Sequence, residues 1–174
     1  NPVLSIRKEG NTPAWGAVFE QYFQEIDKVK GQKGLLSVEK KLFVETNNGT
    51  NRQIRPVTPE QPLRIGDKVI VRLTIRTDRE MNYVFLKDLR AGCFEPADQL
   101  SGPESRDGIW YYRSPKDVSE NFFINRLPEG TFVLEYPVYV SRSGEYAGGI
   151  STIQCMYAPE FVSHTAGESL RIMP

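Results

Sequence analysis

The sequence predicts an all-β fold: an antiparallel two-sheet β-sandwich preceded by an N-terminal β-hairpin or short helix. Three observations carry that prediction. Apolar side chains recur every second residue in several separate runs, clearest where Val69, Val71, Leu73 and Ile75 alternate with Ile70, Arg72, Thr74 and Arg76. That period sets one face of a strand against the other. Clusters of Gly, Pro, Asn and Asp punctuate the chain at short intervals, as turns require. Helical spacing is almost missing, so the crossovers that parallel strands need are not available.

Residues 3–7 form a short strand-like run that ends in the turn cluster Glu9–Pro13. Trp15 to Phe23 is rich in β-formers and can pair with it as a hairpin. Phe19, Tyr22, Phe23, Ile26 and Val29 also fall at helical steps, so a helix over 17–29 is the other reading. A polar, Gly-containing linker at 28–34 ends this lead-in, giving two units, 1–33 and 34–174. Leu36, Val38, Lys40, Leu42 and Val44 share one face of the next strand, and Asn47–Thr50 turns it. Three prolines confine 52–64 to a sheet edge.

Ile65–Pro96 supplies the central strand pair: the alternation at 69–75, a polar break at Asp78–Glu80, the run Tyr83–Leu86, and a bend at Ala91–Pro96. Residues 97–108 read as loop. Ile109–Tyr112 and Val118–Asn125 are strands, and Thr131–Val140 presents Phe132, Leu134, Tyr136, Val138 and Val140 on one face. Pro137 inside that strand calls for an open edge or a bulge. Ile150–Tyr157 follows, ended by Ala158-Pro159-Glu160, and Leu170–Ile172 closes the chain. Roughly nine strand candidates separated by turns favour a sandwich.

Lys plus Arg equals Asp plus Glu at 22 each, which argues against a nucleic-acid footprint or a polybasic membrane anchor. No run approaches the ~20 apolar residues of a spanning helix. The chain opens Asn1-Pro2-Val3 without an apolar leader, and reads as a mature chain or a piece of a longer protein.

Hydrolase, kinase, zinc-protease and nucleotide-binding signatures are absent, so no catalytic residues, metal ligands or cofactor are expected. His164, flanked by Ser163 and Thr165, fits a surface residue better than a general base. Asp88, Glu95, Glu135 and Glu160 show no spacing that pairs two of them for glycoside hydrolysis, and read as turn or edge residues. Cys93 and Cys155 lack the partners of a zinc site and stand either as two buried thiols or as one disulfide. Trp110, Tyr111 and Tyr112 with Trp15 would suit a sugar-stacking platform, though sandwich aromatics more often fill the core. The Asn48-Gly49-Thr50 sequon reads as a hairpin turn.

Two stretches together resemble a known family. Asn82–Pro96 carries a strand ending in Asp and a bend close to Gly-Phe-Glu, here Gly92-Cys93-Phe94-Glu95. Leu127-Pro128-Glu129-Gly130-Thr131 and the close Cys155-Met156-Tyr157-Ala158-Pro159-Glu160 follow in the family's order. The pattern is similar to the C-terminal macroglobulin-like β-sandwich of bacterial alpha-2-macroglobulins, Bacteroides type. It covers about residues 14–165, and Trp15-Gly16-Ala17 with Leu36-Ser37-Val38 resembles the lead-in after the family's helical thioester domain.

The resemblance implies a non-catalytic module of an envelope proteinase trap, periplasmic or lipoprotein-anchored. Its implied partners are the thioester-type helical domain and neighbouring macroglobulin-like domains of the same polypeptide, and target proteinases through the parent protein. The thioester motif Cys-x-Glu-Gln does not occur, because Cys93 precedes Phe-Glu-Pro and Cys155 precedes Met-Tyr-Ala. The implied role is shielding the thioester, with Met156, Tyr157 and Glu160 as the contacting residues; pinning the last strands to the core is the plainer role for them. An envelope location also implies a Cys93–Cys155 disulfide. The rival to this reading is a carbohydrate-binding or adhesion module of a cell-envelope protein.

Overall fold

The structure, a computed structural model, describes residues 5–16, 18, 21–48 and 51–174, with backbone only at 47, 48, 51 and 52. It is built from fourteen strands among those residues. One sheet has the order β2-β1-β4-β10-β6, from β1 (Leu36–Asn48), β2 (Asn51–Pro56), β4 (Lys68–Thr77), β6 (Phe94–Pro96) and β10 (Gly130–Val140). The facing sheet has the order β13-β12-β5-β9-β8-β7. Its strands are β5 (Met81–Leu89), β7 (Gly102–Arg106), β8 (Ile109–Pro115), β9 (Ser119–Leu127), β12 (Ser151–Cys155) and β13 (Ala158–His164). A small third sheet, β11-β14-β3, closes one side with β3 (Leu63–Arg64), β11 (Gly144–Ala147) and β14 (Ser169–Met173). Its β3–β14 pairing is parallel; the other ladders are antiparallel, and the expected two-sheet sandwich stands with this addition.

The alternation predicted for 69–75 is what packs the core. Val69, Val71, Leu73 and Ile75 point inward from β4, and Phe132, Leu134, Tyr136 and Val138 do so from its neighbour β10. They meet Val84 and Leu86 of β5, Phe122 and Ile124 of β9, and Ile153 of β12. Fully burying each such side chain stabilises the fold by roughly 1.5–3 kcal/mol. Pro137 sits opposite Ile70, and its carbonyl accepts the Ala97 N–H on the side away from β4. The missing proline N–H therefore faces the poorly covered side of β10, beyond the three residues paired with β6.

Strands appear where loop was expected, at β7 and β13. Neither carries a clean apolar alternation, because β7 is an edge and β13 pairs on one side with β12. In the lead-in, the described residues of 15–23 carry no strand or helix, and Trp15, Tyr22 and Phe23 are exposed; positions 17, 19 and 20 lie outside the described residues. Ile26–Lys28 forms one 3-10 turn, and Gln32 exchanges two backbone hydrogen bonds with His164. Gly167 makes that docking possible: a Cβ there would lie 1.8 Å from the Ile26 carbonyl oxygen. The turn of the Asn48 sequon lies outside the described residues.

Candidate docking face

The outward side of the six-stranded sheet carries a row of large side chains at one register. Tyr112 on β8 lies beside Phe123 on β9, Phe123 beside Phe85 on β5, Phe85 beside Gln154 on β12, and Gln154 beside Val162 on β13. The Phe85 and Phe123 rings stack with centroids 4.9 Å apart. Trp110 and Tyr83 stand two residues from Tyr112 and Phe85 on the same side.

Next to this row the turn after β12 projects a knob. The β12–β13 register shifts at Gln154/Cys155, and the Met156 N–H then bonds the Tyr83 carbonyl at 2.9 Å. The Tyr157 ring meets the Tyr83 ring edge-on, 5.2 Å between centroids. Tyr83 itself has φ 56°, a left-handed conformation that a bulky residue adopts only under constraint. Trp110 is 70% exposed, Met156 56% and Tyr157 81%. Large apolar side chains exposed together in this way make the face a candidate for docking.

Of the residues expected at an interface, Met156 and Tyr157 come together, and Glu160 is exposed on the strand leaving their turn. Sequence reasoning missed Tyr83, Phe85 and Phe123; the period of two running out from Phe85 was the available signal. The 110–112 triplet splits by the same parity. Tyr111 points inward and donates its hydroxyl to Glu104, while Trp110 and Tyr112 face solvent. Burial and that hydrogen bond push the Tyr111 hydroxyl up to about 12.

Behind this face the core is polar to an unusual degree. Asp88, on the inward parity of β5, is fully buried and accepts from three groups: Lys40 Nζ at 2.8 Å, Ser151 Oγ at 2.7 Å, and the Tyr136 hydroxyl. Lys40 Nζ also donates to the Leu89 and Gly148 carbonyls. Close by, buried Glu120 accepts from Arg90 at 2.9 Å and from Arg113 Nε at 2.7 Å. Burial pushes the Glu120 carboxyl up against the pull of both guanidiniums. Burial with the Asp88 charge beside it raises the Tyr136 hydroxyl well above its ordinary range, so it stays a donor. Arg90 Nε and Arg113 Nη2 are buried with no partner among the described residues.

Asp88 is thus a core hub, not a turn or edge residue. Glu135 instead spans Arg72 and Arg106 at the surface. His164 is half-buried, and its Nδ1 lies 3.1 Å from the Thr165 carbonyl. No group of three or more His, Cys, Asp or Glu among the described residues is placed to hold a metal ion.

The Cys93–Cys155 disulfide does not form: both thiols are free and buried. Cys155 pairs with Val84 near the start of β5, and its thiol contacts the Asn82 carbonyl. Cys93 follows the far end of β5, where its carbonyl accepts the Ser141 N–H. From Val84 to Leu89 alone the strand runs about 17 Å, well beyond the reach of a disulfide. Burial pushes the Cys93 thiol up to about 11.

A family model described as the Bacterial Alpha-2-macroglobulin MG10 domain matches residues 36–160. Among solved structures, Salmonella alpha-2-macroglobulin reacted with methylamine superposes with a TM-score of 0.65 at 21% identity, over 83% of this chain and 10% of that one. Native Escherichia coli alpha-2-macroglobulin, spanning domain MG7 to the C-terminus, gives 0.63 at 16% identity, over 83% and 24%. The Escherichia coli protein activated by porcine elastase gives 0.65 at 17% identity, over 83% and 14%. A curated relative, circularly permutated Ras protein 2 of Dictyostelium discoideum, is 28% identical over 109 residues, 63% of this chain and 3% of that protein. The chain thus spans a small part of the length of the relatives it matches.

Proposed function

Since the chain belongs to the bacterial alpha-2-macroglobulin family, matching its MG10 domain, we propose that it is a non-catalytic docking module of an envelope proteinase trap. It occupies the C-terminal, receptor-binding position of a Bacteroides-type parent, with 1–33 as lead-in and 34–174 as the sandwich. Its partners are other domains of the same polypeptide, first among them a thioester-type helical domain, and it meets target proteinases only through that parent. The parent lies in the cell envelope, periplasmic or lipoprotein-anchored; no helix among the described residues is long and apolar enough to cross a membrane.

One observation carries the reading: the knob of Met156 and Tyr157, braced by Tyr83, stands exposed at the edge of an aromatic sheet face. A thioether beside an aromatic ring excludes water and offers no nucleophile, which is what shielding a labile acyl bond requires. Glu160 supplies the polar rim.

The test is Met156→Ala with Tyr157→Ala in the full-length parent. Methylamine incorporation into the intact protein should rise several-fold. Unchanged incorporation in a correctly folded variant ends the shielding role.

A second reading draws on Trp110 and Tyr112, exposed two residues apart on the same face. Such a pair suits sugar stacking in a carbohydrate-binding or adhesion module. Quenching of Trp110 fluorescence by soluble cell-wall oligosaccharides would favour it, and an unaltered spectrum removes it.

A further inference from the structure

A place for one more strand lies open between two sheets. β1 pairs with β2 only from Phe43 onward, so on that side Leu36–Leu42 has no neighbouring strand among the described residues. The Leu42 carbonyl accepts the Val57 N–H on the side away from β4. By antiparallel alternation Val38 and Lys40 aim their backbone groups the same way, and these have no partner among the described residues.

The opposite bank is β14. Gly148 donates to the Glu168 carbonyl, so Leu170 and Ile172 bond toward β11 and Ser169 faces the other way. On that side β14 pairs with β3 only at Ile172 and Met173. A cleft of about 580 Å³ touches Val38–Leu42 on one bank and Glu168 and Leu170 on the other. A second, of about 780 Å³, continues it past Phe43 along Glu168–Arg171 toward Leu63. β3 therefore stands in line with the opening, where the missing strand would run.

We infer that this opening is a strand-addition slot for an extended segment of the longer polypeptide, which would join β14 to β1 in one continuous sheet. This rests on the chain being a module of a larger protein. Two facing strand edges specify a backbone, since only an extended chain presents donors and acceptors to both sides at once. The slot's floor selects the side chains. Val38, Leu42 and Leu170 line it on the inward parity, and the Lys40 ammonium is pinned away by Asp88 and two carbonyls. Apolar residues at alternate positions fit that floor.

Outside, Glu39 and Lys41 pair with each other at 3.0 Å, and Arg171 and Glu168 face them across the cleft. The rim therefore has no single sign, and the occupant's intervening residues can be polar without net charge. The longer polypeptide is the source of the occupant: this chain spans about a tenth of the Salmonella protein it is similar to, so most of such a parent lies outside it. A tethered segment fills a site at high effective concentration without high intrinsic affinity.

Hydrogen exchange tests this by comparing the 174-residue chain with the full-length parent. Within 36–42 and 168–171, the amides of Val38, Lys40 and Ser169, which face the opening, should exchange at least tenfold slower in the parent. Val38→Pro in the parent removes one outward N–H at an edge that tolerates proline, and should return 168–171 to fast exchange. Three outcomes overturn the slot. Equal rates in the two proteins leave it empty. Slowing in the short chain that grows with concentration makes a second copy the occupant. Slow exchange at 168–171 that survives Val38→Pro means burial under a domain, not strand pairing. The docking-face reading is tested separately by methylamine, and the Met156→Ala, Tyr157→Ala parent should keep its slot amides slow.

Discussion

Tyr136 of β10 donates its hydroxyl to the carboxylate of Asp88 on β5, so a hydrogen bond through the core ties the two main sheets. The bond matters because Asp88 also neutralises Lys40 and accepts from Ser151. Asp88→Ala leaves a buried ammonium and two hydroxyls without their acceptor. Removing one partner of a buried ion pair costs about 3–5 kcal/mol, against a typical total of about 5–15 kcal/mol for a domain. Tyr136→Phe removes a single donor and should cost about 1–3 kcal/mol. Urea unfolding of both variants ranks them, and an Asp88→Ala loss no larger than that of Tyr136→Phe would show that Asp88 is no hub.

Glu120 between Arg90 and Arg113 invites the opposite experiment. Each arginine leaves one buried nitrogen unpaired, so desolvation is incompletely offset. Glu120→Gln strands two guanidiniums and should destabilise strongly. Replacing all three residues by Met, Leu and Met should be neutral, or stabilise by about 1–4 kcal/mol. Thermal unfolding of the single and triple variants decides it; a triple variant worse than Glu120→Gln would mean that the charges stabilise in their own right.

Much of the frame was legible because alternation survives wherever a strand is covered on one face. The inward sets of β4 and β10 were readable residue by residue. The polar hub was not. Asp88 and Glu120 sit on the same parity as Leu86 and Phe122, but a carboxylate in an apolar set reads as a strand end until its partners are known. The partners of Asp88 are distant in sequence, Lys40 by 48 positions and Ser151 by 63, and no local pattern links them. The exposed knob after β12 was half legible. Met156 and Tyr157 stood out as a motif, whereas Tyr83 reaches them only through the β5–β12 pairing. The disulfide failed because sequence separation says nothing about which end of a strand each cysteine occupies.

The thiols give a direct chemical check. Unfolded without reductant, the protein should titrate two thiols. In the native state Cys93, pushed up to about 11 and fully buried, is about one part in a thousand thiolate at pH 8 and should resist iodoacetamide. Fewer than two thiols in the unfolded protein would restore the disulfide.

Glu135 offers a pH-dependent test at the surface. Burial acts to raise its carboxyl, but the bonds from Arg72 and Arg106 outweigh that and hold it below the ordinary range. A carboxylate depressed in the folded state adds stability that is present above its unfolded value near 4.5 and is lost as pH falls through the folded one. Glu135→Gln should therefore be less stable than the parent sequence at pH 7, by about 1 kcal/mol, because Glu135 is largely covered but both of its arginine partners reach solvent. The difference should shrink below pH 4.5. A difference that is constant from pH 7 to pH 3 would assign the loss to packing.

Tyr83 connects stability to the docking face. Its φ of 56° puts a large side chain where glycine is at ease, at a cost of roughly 1–2 kcal/mol. Its ring, half exposed, contacts the Tyr157 ring, and its carbonyl holds the Met156 N–H. Those contacts with the turn after β12 hold the strained backbone in place. Tyr83→Gly should then be more stable than Tyr83→Ala by about 1 kcal/mol, because both lose the ring and only alanine keeps the strain. On the shielding role proposed above, both variants should raise methylamine incorporation in the full-length parent alike, since both remove the brace beneath Tyr157. Equal stability of the two variants would dismiss the strain. Raised incorporation in the alanine variant alone would make the effect one of unfolding, not of the lost ring.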